Sequence, residues 1–128
     1  MTIFTKIINR EIPAEIVYES ELFLAFMDIN PVNKGHLLVI TKEPYPTLID
    51  APESVVGELF MLVHKLTPSV MKATGSDLFN WFVVGDEVPH AHVHIVPRFP
   101  NDSAFNFNTK KYENNELKEF AEEIRSYI

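Results

Sequence analysis

Three histidines stand at alternate positions in His90-Ala91-His92-Val93-His94-Ile95-Val96-Pro97, with small or β-branched apolar residues between and after them. That alternation points to an extended strand, because a period of two puts all three imidazoles on one face while Ala91, Val93 and Ile95 take the other. One face is then core and the other polar, so the strand belongs to a sheet whose two surfaces differ in kind. Taken singly, a histidine is more often a solvated or hydrogen-bonded structural residue than a functional one. Three of the chain's five in one register favour chemistry, since imidazole titrates near neutrality and serves proton transfer, metal ligation or attack on phosphorus.

The rest of the chain supplies the sheet and its cover. Thr2 or Thr5 can cap a short N-terminal helix that carries Phe4, Ile7 and Ile8 and ends before Pro13. Residues 16–19, 22–28 and 36–41 read as a meander of strands, with the turn after the second built from Ile29-Asn30-Pro31-Val32-Asn33-Lys34-Gly35. Asp50 predicts an N-cap, with Pro52 in the first turn and Glu53 as capping partner. The long helix that follows repeats Val55, Val56, Leu59, Phe60, Leu62, Val63, Leu66 and Val70 at three- and four-residue steps, and Pro68 predicts a kink or a fresh turn within it. His64 in that helix reads as structural or as a dimer contact. Residues 78–84 predict the antiparallel partner of the histidine strand, residues 101–109 read as irregular, and residues 115–128 form an amphipathic helix with Leu117, Phe120, Ala121, Ile124 and Ile128 inward. The order α-β-β-β-α-β-β-α predicts an α+β fold, an antiparallel sheet with helices on one side.

At 128 residues the chain is expected to form a single domain, residues 1–128, with a core of its own. A net charge of -7 and a pI near 5.1 argue against broad binding to nucleic acid or to an anionic membrane, which want a basic field. The absence of cysteine excludes disulfides and a Cys-rich metal site. No apolar run is long enough to span a bilayer and the N-terminus lacks the features of a signal peptide, so the expected compartment is the cytoplasm.

A clustered imidazole face suggests phosphorus chemistry. Neighbouring imidazolium charges repel, so at least one ring stays neutral at pH 7 and is a competent nucleophile, while the others donate to phosphate oxygens or protonate a leaving group. Strand-borne His-x-His pairs can equally ligate a metal, with Asp or Glu completing the site, and that alternative stays open here.

The segment Val88-Pro89-His90-Ala91-His92-Val93-His94-Ile95-Val96-Pro97-Arg98 resembles the signature of the histidine triad (HIT) proteins. Similarity extends to Ile3-Phe4-Thr5-Lys6-Ile7-Ile8-Asn9-Arg10-Glu11-Ile12-Pro13-Ala14, to Ala25-Phe26-Met27-Asp28-Ile29-Asn30-Pro31 and to Lys34-Gly35-His36-Leu37-Leu38-Val39-Ile40, in order across residues 2–98. The branch it resembles is that of the Hint-like nucleotide hydrolases. The resemblance implies a homodimer of α+β subunits with a five-stranded antiparallel sheet, a long helix packed on it and a C-terminal helix. It further implies cleavage at the α-phosphate of a purine nucleoside phosphoramidate or dinucleoside polyphosphate, without a metal cofactor. His92 would be the nucleophile, His90 would orient it through its backbone carbonyl, and His94 and His36 would contact phosphate oxygens or the leaving group. Read locally, His36 after a glycine at a strand start is only a loop-end surface residue.

By the same resemblance Asp28 would grip the ribose hydroxyls, and Ile3, Phe4, Ile7, Phe26 and Ile29 would wall the base. A carboxylate can accept from both hydroxyls of a ribose, and an apolar slot suits a purine face. Taken alone, Asp28 would merely start the Asn30-Pro31 turn and the apolar residues would be core.

Two departures from the family pattern carry expectations of their own. Many members hold a structural zinc with two cysteines, a histidine after the third strand and the first triad histidine; here Thr2, Thr5 and Pro44 leave only His90, so no structural zinc is expected. The loop before the triad is shorter by about six residues, a modest change in chain entropy. It leaves the backbone amides of Gly85, Glu87 and Val88, with Lys34 and Arg98, as candidate phosphate contacts, while Asp86 and Glu87 add negative charge. A nucleotide-binding or protein-interaction module with little turnover is the alternative function.

Overall fold

The computed structural model describes residues 1–85, 87–103 and 105–128. Among the described residues three α-helices, α1 (Ile3–Ile8), α2 (Glu53–Thr74) and α3 (Glu116–Ser126), accompany five strands: β1 (Ile16–Glu19), β2 (Phe23–Met27), β3 (Leu37–Thr41), β4 (Leu78–Phe82) and β5 (His92–Arg98). The strands form one antiparallel sheet in the order β1-β2-β3-β5-β4. This is the expected α+β architecture. Among the described residues no helix is long and apolar enough to cross a membrane.

Every residue of β2, β3 and β5 is buried, so the sheet is covered on both sides. Alternation sorts their side chains. Ala25, Met27, Leu37, Val39, Val93 and Ile95 belong to the main core with Leu59, Val63 and Leu66 of α2 and Ile124 of α3. Leu24, Phe26, Leu38 and Ile40 form a second cluster with Phe4 and Ile7 of α1. Full burial of each Leu, Ile or Phe is worth about 1.5–3 kcal/mol. The expectation of helices on one side is therefore corrected: α1 covers the opposite face, because Phe4 and Ile7 give even this short helix an apolar side to bury.

Register brings the histidines to the α1 face. Leu38 lies opposite His94 and Ile40 opposite His92. His90 precedes β5 in an irregular lead-in, so the alternating strand holds two of the three histidines; the third reaches the same region from the bend, its ring edge-on to Phe4 at 5.8 Å.

Other boundaries shift for local reasons. The N-cap is Thr47, not Asp50. Its hydroxyl accepts from Ile49 N and the Asp50 carboxylate accepts from Thr47 N, closing a capping box around a 3-10 turn at Leu48–Asp50. The long helix starts afterwards at Glu53, with Pro52 before it and no side-chain cap. It continues past Pro68 as one 22-residue element. Strand β4 stops at Phe82, α3 stops at Ser126, and Ile128 is exposed. His64 is exposed on α2, which removes the structural reading of that residue. Asp86 lies outside the described residues.

The turn between β2 and β3 is clamped by residues far along the chain. Asn33 Nδ2 donates to Pro97 O at 2.8 Å and to Asp102 Oδ2 at 2.7 Å. Lys110 donates from its backbone to Pro31 O and from its ammonium to Val32 O and Asn33 Oδ1. The Tyr112 hydroxyl accepts from Gly35 N at 2.8 Å, and Lys34 pairs with Glu116. Gly35 sits at φ +104°, and a Cβ there would collide with Thr74, so both conformation and space require glycine.

Candidate active site

The hydrogen bonds fix the tautomer of each ring. His90 Nε2 lies 2.6 Å from Thr41 O, which can only accept, so Nε2 carries the proton and Nδ1 faces the Thr2 hydroxyl at 3.4 Å. His92 Nδ1 lies 2.6 Å from His90 O and must likewise donate. In the neutral ring the lone pair of His92 is then on Nε2. Phe4 packs edge-on against the ring at 5.2 Å and His94 at 5.1 Å, restricting its rotation.

A second chain of bonds starts in the clamped turn. Val32 N donates to His36 Nδ1 at 3.0 Å, so His36 bears its proton on Nε2 and donates it to His94 Nδ1 at 2.8 Å. His94 in its neutral form then carries a proton on Nε2, a buried atom with no hydrogen-bond partner among the described residues. Burial above all, then the adjacent His94 and Arg98, lower His36 from 6.5 to about 3. Burial and then His92 lower His94 to about 4. Both are neutral at pH 7. Burial also lowers His90, against the opposing pull of the Thr41 carbonyl. His36 is 2 % exposed, which corrects the local reading of a surface residue.

Asp28 does two things at once. Oδ1 accepts from Asn30 N at 2.8 Å and starts the turn, while Oδ2 lies 3.6 Å from His36 Nε2. Burial raises its pKa, opposed by the Asn30 amide and aided by the Glu87 charge.

Two cavities meet at these groups. The first, about 240 Å³, is walled by Ile3, Phe4, Ile7, Phe26 and Ile29 and also touches Asp28, Glu87, Val88, His92 and His94. The second, about 680 Å³, is lined by Asp28, His36 and His94 together with Phe82, Phe107 and Thr109. Sequence reasoning missed Ile12, Pro13, Ala14 and Leu38 in the first cavity. Leu38 was available from alternation, since it is the neighbour of both Phe26 and His94. Phe82 and Phe107 carried no such signal.

Three expected phosphate contacts stand elsewhere. Gly85 lines a narrow hollow with His90 and His92 and neither of the two cavities. Lys34 is turned to Glu116, and Arg98 to Asn80 and the Asn106 carbonyl. Neither cation lines the cavities, a correction whose cause is that carboxylate and amide partners outside the site hold them. Among the described residues Asp28, His36 and His94 offer ligand atoms within 4.8 Å of one another, the one grouping that could gather around a metal ion. A structural zinc does not fit around His90, whose neighbours Thr2 and Thr41 present a hydroxyl and a carbonyl already engaged with the ring.

Known proteins resemble the chain in sequence and in fold. The model of the HIT domain matches residues 9–101. The chain is 44% identical to an uncharacterised HIT-like protein of Methanocaldococcus jannaschii, over 98% of this chain and 99% of that one. It is 33% identical to the adenosine 5'-monophosphoramidase of Schizosaccharomyces pombe, over 98% and 97%. The crystal structure of a Hit-like protein from Bartonella henselae superposes with a TM-score of 0.87 at 34% identity, covering 99% of this chain and 96% of that chain. The family model and the relatives together show it: the chain belongs to the HIT domain family.

Proposed function

We propose that the protein is a nucleotide hydrolase that cleaves purine nucleoside phosphoramidates or related α-phosphate derivatives through a covalent nucleotidyl intermediate on His92. The observation that carries this reading is the 2.6 Å contact of His92 Nδ1 with His90 O, which puts the lone pair of the neutral ring on Nε2, in a residue that lines one cavity with Asp28. A neutral imidazole oriented by a second group is the form needed for attack on phosphorus. Family membership and the phosphoramidase relative support hydrolysis of a nucleotide.

In the first step the His92 lone pair bonds to the α-phosphorus. The bond to the leaving group breaks, its electron pair departs with that group, and the group takes a proton from solvent. Water then bonds to phosphorus, the bond to His92 breaks, and the surplus proton returns to solvent, so that one water is consumed overall. The partnerless His94 Nε2–H donates to a phosphate oxygen during both steps, an interaction of the oxyanion-hole type. Asp28 takes the ribose, and the wall of Ile3, Phe4, Ile7, Phe26 and Ile29 takes the base.

The same reading includes a homodimer. Strand β4 is the outer edge of the sheet, and Leu78, Phe79 and Trp81 on it are 49%, 43% and 37% exposed. An apolar edge of this kind invites strand pairing with a second copy. Charge at Phe79 tests it: Phe79→Glu is expected to convert a dimer to monomer in sedimentation equilibrium, and a wild-type monomer refutes the dimer.

The catalytic test is mass spectrometry of the protein quenched during turnover of adenosine 5'-phosphoramidate. An adenylyl adduct on His92 is expected in the wild type and its loss, with loss of turnover, in His92→Ala. Unchanged turnover in His92→Ala refutes the mechanism.

A further inference from the structure

A chain of hydrogen bonds runs through the β2–β3 turn into the site, and its direction is set at its outer end. Val32 N donates to His36 Nδ1 at 3.0 Å and His36 Nε2 donates to His94 Nδ1 at 2.8 Å, which leaves the proton of His94 on Nε2. With the proton of His36 on Nδ1 instead, Nε2 would accept from His94 Nδ1, and His94 Nε2 would carry a lone pair. A lone pair there repels a phosphate oxygen, whereas an N–H stabilises it. The amide of Val32 therefore decides whether His94 helps or hinders. The Asp28 carboxylate, 3.6 Å from His36 Nε2, favours the same form.

That amide is held by Lys110. The backbone N–H of Lys110 donates to Pro31 O at 2.7 Å, the carbonyl of the same peptide whose N–H meets His36. Its ammonium donates to Val32 O at 2.8 Å and to Asn33 Oδ1 at 2.6 Å. Both peptides flanking the Val32 Cα are thus bonded to one residue, and a donor on Pro31 O polarises the Val32 N–H toward His36. We infer that Lys110 is a positioning residue that keeps the His36–His94 pair in the tautomer able to donate to phosphate. The inference rests on the hydrolase reading above and gives that reaction a residue lining neither of the two cavities.

Two further observations separate this role from general support of the fold. Lys110 is exposed, while Val32, Asn33, His36 and His94 are buried, so its stem can be changed without opening the core. The turn also has other anchors: Asn33 is held by Pro97 O and Asp102, Gly35 by the Tyr112 hydroxyl and Lys34 by Glu116. Loss of the ammonium then frees the peptides beside Val32 within a turn that stays in place. Lys110 lies beyond residues 9–101, the stretch matched by the HIT domain model.

The test joins nitrogen NMR of the histidine rings to the kinetics of adenosine 5'-phosphoramidate hydrolysis. The chain has no cysteine, so Lys110→Cys can be alkylated at that one thiol with 2-bromoethylamine, which rebuilds the ammonium on a thioether stem. At pH 7, where both rings are neutral, wild-type His36 and His94 are expected to be protonated on Nε2 alone. Lys110→Met and unmodified Lys110→Cys are expected to show the reversed form as well, and to lose about 10- to 100-fold in kcat with KM within about 2-fold. Aminoethylation is expected to restore both readouts, and Lys111→Met to alter neither. Wild-type rings protonated on Nδ1 overturn the inference, as does full kcat in folded Lys110→Met. A fall in kcat with both rings still protonated on Nε2 alone, or loss of folding in both Lys110 variants, makes the residue merely structural and overturns it too. In each of these cases wild-type turnover leaves the hydrolase standing. A folded wild type without turnover overturns the hydrolase reading, and with it the part given to Lys110, whatever the tautomers.

Discussion

Acidification from pH 7.5 to 5.5 is expected to remove about 2–3 kcal/mol of stability, most of it through His36 and His94. Each ring has an ordinary value of 6.5 and a folded value of about 3 for His36 and about 4 for His94. The folded value lies below the unfolded one, so between them the unfolded chain binds the proton and the folded chain does not. The stability of the neutral rings is therefore complete above about pH 6.5 and drains as the pH falls toward the folded values. Across this window the unfolded chain gains nearly one proton per ring and the folded chain almost none, which integrates to about 1.4 kcal/mol for each. His90, shifted in the same direction, adds to the loss. Asp28 is raised and acts in the opposite sense, because it makes the folded chain hold a proton more readily as acidity grows. Against a total of about 5–15 kcal/mol for a domain this loss is large. Urea unfolding at pH 7.5, 6.5 and 5.5, with an unchanged slope against denaturant, measures it. NMR of the ring protons checks the cause, since His36 and His94 must remain neutral to pH 5.5. A stability change below about 0.5 kcal/mol across the window, or a His36 ring titrating with a midpoint near 6, refutes the reasoning.

Gly35→Ala combines a left-handed backbone with a methyl group driven into Thr74. It is expected to destabilise the fold by about 2–4 kcal/mol in urea unfolding, and a loss under about 0.5 kcal/mol contradicts the packing described. Asp28→Asn removes the charge proposed to accept the ribose hydroxyls and is expected to weaken adenosine monophosphate by about 1.5–3 kcal/mol, or roughly 10- to 150-fold, in isothermal titration. An unchanged affinity would take the ribose away from Asp28. Asn33→Ala withdraws a buried amide from Pro97, Asp102 and Lys110 and is expected to cost about 1–3 kcal/mol. Hydrogen exchange at the Val32 amide, which holds His36, is expected to quicken in the same variant, and unaltered protection there shows that the clamp does not act on the histidine.

What sequence could reveal here divides along the range of the interactions. Strand β1 lies where its alternation puts it, Thr2 caps α1, and the wall of Ile3, Phe4, Ile7, Phe26 and Ile29 gathers around one cavity. Those features depend on periodicity and on neighbours within a turn. The start of α2 differs from the sequence reading because Thr47 and Asp50 cap each other's amides in a separate 3-10 turn. His36 was locally ambiguous because its partners, Val32 and His94, are a turn and a neighbouring strand, and only the β3–β5 register brings the latter beside it. Residues 101–109 show no period at all. The described residues among them are placed by contacts across the fold, as Phe107 meets Phe82 and the Asn106 carbonyl accepts from Arg98, and pattern in one dimension has no mark for that.

The clamp on the β2–β3 turn bears on how the protein is made. The four histidines of the site and Asp28 have been translated by residue 94, yet the groups that grip Pro31, Val32, Asn33, Lys34 and Gly35 come from residues 97–116. A polypeptide leaving the ribosome N-terminus first thus carries every reactive ring before it carries the tether that sets the proton on His36. Competence is acquired at the close of synthesis, with the last quarter of the chain acting as the latch.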